Sequence, residues 1–401
     1  MSPEDSVVRI DSAVVGIDGT WPFPPEQLSF SALKEAETCP RRWALLHGDY
    51  PSIWDKNGYP QLPTNAGLIG SIVHEALERI VKAFAYAGCV SGQSEDAVSI
   101  LRSMGGLSNI VRQAMDGQLK ELESNPRSNS QIEHFSHSLM ESIPEMRKRV
   151  QSLISAVIVE RTSLIEKSNS TSRARTAILS NGSYSELTVR SSSLGLVGRF
   201  DLLTLNGHEV HLTDFKTGTP KREHAEQMEI YALLWARRDD WDPERPKVTR
   251  MTVVYDGLQL EIPPPELDQL NAIGAEITER IKVVRSQLID VPPQARPSAD
   301  ACRFCQVRHM CQPYWNSTIA HTLDAEFFDL EALVEEEIGP RSWKIIAGAE
   351  ECILRTSPNE VLPLGSKVRL LGITRRHTSD LESTKIFALT SISEMFEMRA
   401  D

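Results

Sequence analysis

Two alternating runs, LGLVGRFDLLTL and HEVHLTDFKTG, meet at Asn206-Gly207. Asn-Gly between runs of period two is the strongest short-range signal for a β-hairpin, because the favoured two-residue turn needs positive φ at its central positions. Side chains two apart on a strand share a face, so Asp214 and Lys216 stand side by side just before a Gly/Pro turn. With Asn206-Gly207 as the loop, Asp201 lies across from Leu212. The pleat then puts Asp201, Asp214 and Lys216 on one side of the hairpin, and any even loop length gives the same face. Asp201 and Asp214 are expected to be diagonal neighbours, roughly 7–8 Å apart at the backbone.

An aspartate and a lysine so placed are either a plain surface ion pair or a grip on something. Two aspartates that converge suit a hard divalent cation, Mg²⁺ or Mn²⁺, which takes carboxylate oxygens and offsets charge on a phosphate under attack. Lys216 would steady the attacking water or the developing negative charge.

The flanking sequence supplies helices. LSFSALKEAETCPRRWALLHG reads as two short helices, with Ser31 as N-cap and a break at Pro40 beside Cys39. GLIGSIVHEALERIVKAFAYAG has apolar residues at helical spacing up to Gly88. From 96 to 172 the pattern is helical and polar, a helical insertion, and SELTVRSSS then starts the alternating texture. HAEQMEIYALLWARR reads as a helix, KVTRMTVVYDGLQLEIP as one or two strands, and PELDQLNAIGAEITERIKVVRSQL as a helix. Residues 1–28 read as an irregular lead-in, and LDAEFFDLEALVEEEIGP as an acidic linker helix. The last stretch reads as a small β-rich, OB-like domain. The expected division is a lead-in over 1–28, a main domain over 29–320, and the linker with the C-terminal domain over 321–401.

At 40 % hydrophobic and 24 % charged residues the chain has the composition of a folded globular protein. No uncharged apolar run approaches the ~18 residues of a membrane span, and the N-terminus is acidic where a signal peptide is basic. A cytoplasmic protein with no membrane partner is expected. The net charge of −12 argues against coating nucleic acid by bulk electrostatics while leaving room for a local basic groove. Arg41, Arg42, Lys221, Arg222, Arg303 and Arg308 flank the motifs and could neutralise phosphates there, although each alone also reads as a solvated charge.

Six cysteines in a chain of this kind point to a metal rather than to disulfides. CRFCQVRHMC places Cys302, Cys305 and Cys311 in a C-x2-C-x5-C cluster, with His309 inside it as a spare ligand. Cys39 is the best candidate for a fourth thiolate. Four thiolates suit an iron–sulfur cluster or zinc, and the chemistry alone does not choose. Cys89 and Cys352 read as ordinary thiols.

Four short motifs, Gly70 to His74, Gly198 to Asp201, Asp214 to Lys216 and Gln227 to Tyr231, together resemble the PD-(D/E)xK nuclease superfamily in its RecB-like branch. Phe200 stands where the superfamily's name would have proline. The resemblance covers roughly residues 29 to 315 and implies a restriction-endonuclease-like α/β core, a mixed central sheet flanked by helices. It implies that His74, Asp201, Asp214 and the carbonyl of Phe215 bind the metal and that Lys216 is catalytic. Gln227 and Tyr231, four apart on a helix, would reach the site or the DNA. Glu186 is a weaker candidate for an extra carboxylate and reads first as a solvated strand residue. The cysteines are similar to those of AddB-type and CRISPR-adaptation nucleases, which favours a [4Fe–4S] cluster that staples the ends of the domain. The implied activity is metal-dependent cleavage of DNA, at ends or in single strands, in repair, recombination or antiviral defence, with a helicase or a defence or repair protein as partner. Two other readings compete: a non-cutting DNA-binding subunit of a larger complex, and an iron–sulfur redox sensor.

Overall fold

A computed structural model describes residues 8–9, 21–159, 179, 181–207, 209–240, 246–317, 327–356, 361–376, 385–390 and 393–398. Strands β1 (Val8–Arg9) and β2 (Leu28–Ser29) precede helices α1 (Phe30–Thr38) and α2 (Pro40–His47), with Cys39 in extended backbone between the helices. The cap of α1 is Ser29 and not Ser31: its hydroxyl accepts from the Ala32 N–H at 3.1 Å, which satisfies one of the free donors of the first turn. Helix α3 (Asn65–Ala87) buries Leu68, Ile72, Val73, Ala76, Leu77, Ile80, Val81 and Phe84 and stops at Gly88, whose φ is 74°, the left-handed conformation that ends helices. Helices α4 (Glu95–Ser103), α5 (Leu107–Glu123) and α6 (Ile132–Ser155) follow. Of the expected helical insertion, 160–172 lies outside the described residues, as does most of the lead-in.

Strands β3 (Gly182–Ser191), β4 (Leu196–Asn206) and β5 (Glu209–Phe215) then lead into helix α7 (Arg222–Arg237). Strands β6 (Val248–Tyr255) and β7 (Leu258–Ile262) and helix α8 (Leu267–Ile289) complete the alternation. The sheet order is β2-β4-β5-β6-β7, with β3 paired to β4. The β2–β4 and β5–β6 pairs are parallel and the others antiparallel. One face, at Leu202, Phe215 and Val254, packs under α3, α5 and α6. The other, at Leu203, Leu205, Leu212, Met251 and Val253, packs on α1, α7 and α8. A sheet covered on both faces needs apolar side chains on both, which β4, β5 and β6 supply.

The hairpin forms in a register two residues from the expected one. Leu203 pairs with Leu212, and Asn206 with Glu209. An even slip keeps the same faces paired, and continuing this register sets Asp214 opposite Asp201 rather than diagonal to it. The simple alternation does not hold along β4, however. Phe200 joins the cluster under α7 while Leu202 joins the one under α3, so the pleat changes phase at Asp201. On β3, Glu186 takes the matching place with φ 55°, a positive value found at no other non-glycine among the described residues.

After the short helices α9 (Ala299–Arg303) and α10 (Gln312–Trp315) the chain becomes β-rich, with strands β8 (Phe327–Gly339), β9 (Ser342–Ala347), β10 (Glu350–Arg355), β11 (Lys367–Arg376), β12 (Lys385–Ala388) and β13 (Glu394–Met398). The acidic segment expected to be a linker helix is β8. Its phase buries or half-buries Phe328, Leu330, Ala332 and Val334 in the core of the barrel, and that burial overrides the helix preference of its glutamates and leucines. The order β8-β9-β10-β12-β11 closes because β11 also pairs with β8, and β10–β12 is parallel. The closed five-stranded barrel gives the expected β-rich C-terminal region. Strand β13 adds to β11, and β1 to β13.

The barrel joins the cysteine segment and the helices through arginines, Arg127 and Arg369 buried and Arg308 partly so. Arg308 makes two hydrogen bonds to Asp329, at 2.6 and 3.3 Å, and Tyr314 donates to the same carboxylate at 2.7 Å. Arg127 reaches Glu394 with two bonds, at 2.9 and 2.7 Å, and Arg369 bonds Glu331 and the His309 carbonyl. His309 is buried, stacked on Phe396 at 3.8 Å and tilted against Tyr59. Burial and the three arginines hold its imidazole well below its usual range. The His309 ring is packed between aromatic rings and is not among the residues that line the cysteine cavity, in keeping with the sufficiency of the four cysteines.

Candidate active site

The site lies where β4, β5 and α3 meet. Asp201 Oδ2 accepts from the Phe215 N–H at 2.8 Å, and Lys216 Nζ stands 2.8 Å from Asp214 Oδ2. His74 Nδ1 is 3.8 Å from Asp201 Oδ2. Burial, with the Lys216 ammonium nearby, lowers the imidazole's proton affinity, which favours the neutral form that ligates metals. Burial pushes the Asp201 carboxyl up to about 6. Burial and then the charge of Asp201 push Asp214 up to about 6 as well, against the pull of Lys216. Two carboxylates and an imidazole in a dry corner with one ammonium between them are short of positive charge.

This donor set, hard oxygens with one nitrogen, fits a divalent cation. Among the described residues no group of three or more His, Cys, Asp or Glu side chains is placed as it stands to hold a metal ion; Lys216 and the Phe215 amide engage the two aspartates.

Two glycines explain how the motifs come together. A Cβ on Gly198 would stand 2.6 Å from Leu234 Cδ1 and 3.3 Å from Tyr231 Cε1, so the glycine admits α7 onto β4. That approach sets the Tyr231 ring 4.8 Å from Phe200. Gln227 Nε2 donates to the Tyr231 hydroxyl at 2.6 Å, and both aspartates reinforce the raised proton affinity that burial gives that hydroxyl. A Cβ on Gly70 would lie 3.4 Å from Thr217 Oγ1, an ordinary contact, which places the start of α3 beside the loop after Lys216.

Other residues at the site carried weaker sequence signals. Glu186 lines the cavity with His74, Glu78, Asp201 and Phe215, and its carboxylate is 2.6 Å from Arg199 Nε. A non-glycine residue held at positive φ costs about 1–3 kcal/mol and is tolerated mainly at functional sites. Glu78 follows His74 by one helical turn, the one spacing that could have flagged it. His224 Nδ1 lies 2.7 Å from the Tyr255 hydroxyl, and the charges of Lys216 and Asp214 both act on the imidazole.

Of the phosphate-contact candidates, Lys221, Arg222 and Arg303 are exposed. Arg308 is committed to Asp329 and to the Cys305 carbonyl, which removes it from that role. Arg41 donates to the Pro293 carbonyl at 2.6 Å and Arg42 stands 3.4 Å from Glu35; both line the cysteine cavity. Cys39, Cys302, Cys305 and Cys311 line that one cavity, and all four are free and buried. Burial raises the Cys302 and Cys311 thiols and pushes Cys305 up to about 12, with Arg42 and Arg308 among the opposing charges. Four thiols that line one cavity are of the ligand type a tetrathiolate centre uses.

No helix among the described residues is long and apolar enough to cross a membrane. Residues 27–312 match the family described as the PD-(D/E)XK nuclease superfamily. No curated protein matches the chain. Among solved structures it is similar to the p204 HINb domain, at 17% identity and a TM-score of 0.18 over 27% of this chain and 56% of that one. It is also similar to SSO0001, at 16% identity and a TM-score of 0.21 over 32% of this chain and 60% of that one. The chain spans less than two thirds of the length of either structure.

Proposed function

The chain belongs to the PD-(D/E)XK nuclease superfamily, and from that premise we propose that it is a Mg²⁺- or Mn²⁺-dependent deoxyribonuclease of the RecB-like branch, acting on DNA ends or single strands. The observation that carries this reading is the convergence of Asp201, Asp214 and Lys216, with both carboxyls pushed up to about 6 by burial. A divalent cation held by Asp201, Asp214, His74 and the Phe215 carbonyl would supply Lewis acidity at the scissile phosphodiester. Lys216 orients the attacking water and stabilises the negative charge that grows on the phosphate oxygens. The water oxygen bonds to phosphorus as it gives up a proton to solvent, the bond to the leaving oxygen breaks, and that oxygen takes up a proton from solvent. Gln227 and Tyr231 hold the α7 side of the site.

The same proposal gives Cys39, Cys302, Cys305 and Cys311 a [4Fe–4S] cluster with a structural role. It places the protein in the cytoplasm, in repair, recombination or antiviral defence, with a helicase or a defence or repair protein as partner. The proposed nuclease domain runs from 29 to 320. The test is cleavage of end-labelled single- and double-stranded DNA by anaerobically purified protein with Mg²⁺ or Mn²⁺, beside Lys216→Ala, with iron and sulfide measured on the same sample. Metal-dependent cutting that the variant lacks supports the reading. DNA binding without cutting by cluster-loaded wild type overturns it in favour of a non-cutting subunit.

A further inference from the structure

The row of side chains that begins at His74 continues past the catalytic centre. His74, Glu78, Lys82 and Tyr86 follow one another at four-residue steps on α3, so each neighbours the next on the helix surface, and the row spans about 18 Å while winding about 120° around the axis. Strand β3 runs opposite. Among the described residues it pairs on one side only, with β4, and an edge strand presents backbone N–H and C=O groups outward.

Between helix and strand lies a groove of about 350 Å³ lined by Lys82, Ala85, Tyr86, Tyr184, Glu186 and Thr188 among others. Val81, Ser185 and Glu186 line both this groove and the cavity that holds His74 and Asp201. The groove is therefore a direct extension of the catalytic centre. At its far end Tyr86 is 77% exposed, which gives its ring no packing role in the core. Lys82, one turn nearer the site, is exposed and paired with Glu78.

Resting on the nuclease reading above, we propose that this groove binds the nucleotides of a single DNA strand next to the scissile phosphate, with Tyr86 stacking a base and Lys82 meeting a phosphate. A base can stack on Tyr86 only when its own face is free, which an unpaired strand offers and a duplex does not. A chain of net charge −12 has no broad electrostatic hold on a duplex backbone, so aromatic stacking carries a large share of the affinity.

The test reads binding separately from cutting. Fluorescently labelled oligothymidylate and a duplex of equal length are titrated by anisotropy into Lys216→Ala and into the double variant Lys216→Ala/Tyr86→Ala, with wild-type cleavage measured in parallel. The expected result is about a tenfold loss of single-strand affinity on removing Tyr86, unchanged duplex affinity, recovery with Tyr86→Phe, and an unchanged melting temperature. Equal single-strand affinity of the two proteins overturns the groove, as does an equal loss on duplex. If wild type cuts DNA while the Tyr86 variant binds normally, the groove falls and the nuclease reading stands. If wild type cuts nothing while the Tyr86-dependent loss persists, the nuclease reading falls and the groove stands.

Discussion

The catalytic corner and the junction with the barrel both bury charge, and they settle it in opposite ways. At the junction, Arg308, Arg127 and Arg369 each meet a carboxylate, Asp329, Glu394 and Glu331, and backbone carbonyls take up further donors. At the corner, Asp214 meets Lys216 while Asp201 meets the neutral Phe215 N–H, and burial pushes both carboxyls upward. Fully matched buried charge fixes the position of one part against another. Under-matched buried charge is held ready for something that arrives later.

The contrast can be broken first at Asp329. Asp329→Ala strands Arg308 and should lower stability by about 3–5 kcal/mol, read as a fall in denaturation midpoint with little change in cleavage rate at low temperature. An unchanged midpoint would show the junction to be incidental. Lys216→Ala should cut the cleavage rate by about 10²–10³-fold and lower the midpoint at pH 7.5, where it strands Asp214, but not near pH 4, where Asp214 takes up a proton instead. A midpoint that fell equally at both pH values would make the lysine a packing partner. Gly198→Ala lies between these extremes. It forces Leu234 and Tyr231 away from β4 and should cost about 1–3 kcal/mol, with cleavage reduced through the displaced Tyr231. Retained stability and rate would show that α7 has slack.

The smallest effect is the pH dependence. The ordinary carboxyl value is 3.8 and the folded values are about 6, so folding takes up protons between them. The stability these groups contribute is present below pH 4 and is lost as pH rises through 6. In EDTA, Asp201→Asn should therefore raise stability at pH 7.5 by roughly 1–2 kcal/mol and leave it unchanged near pH 4. Equal effects at both pH values would mean that Asp201 is not charged at neutral pH.

Much of the corner was legible because its determinants are local. The stripe of α3, the run to Gly88 and the four short motifs are spacings within single elements. The change of pleat phase at Asp201 and the positive φ of Glu186 were not legible, since they arise between β3 and β4. The junction was nearly invisible. Asp329 sits in a segment rich in glutamate and leucine that carries a helical composition, and only barrel closure makes it a strand. Arg308 looked like a phosphate ligand because nothing nearby in sequence names Asp329 as its partner.

The row from His74 to Tyr86 also bears on how such a sequence can vary. Substitutions between the two positions leave the row in register. One inserted or deleted residue turns everything beyond it by about 100° around the helix axis, taking Tyr86 out of the groove while His74 stays in place. A four-residue change nearly restores the angle and moves the tyrosine about 6 Å along the axis. This stretch of α3 therefore works as a gauge of fixed length, more tolerant of altered residues than of an altered count.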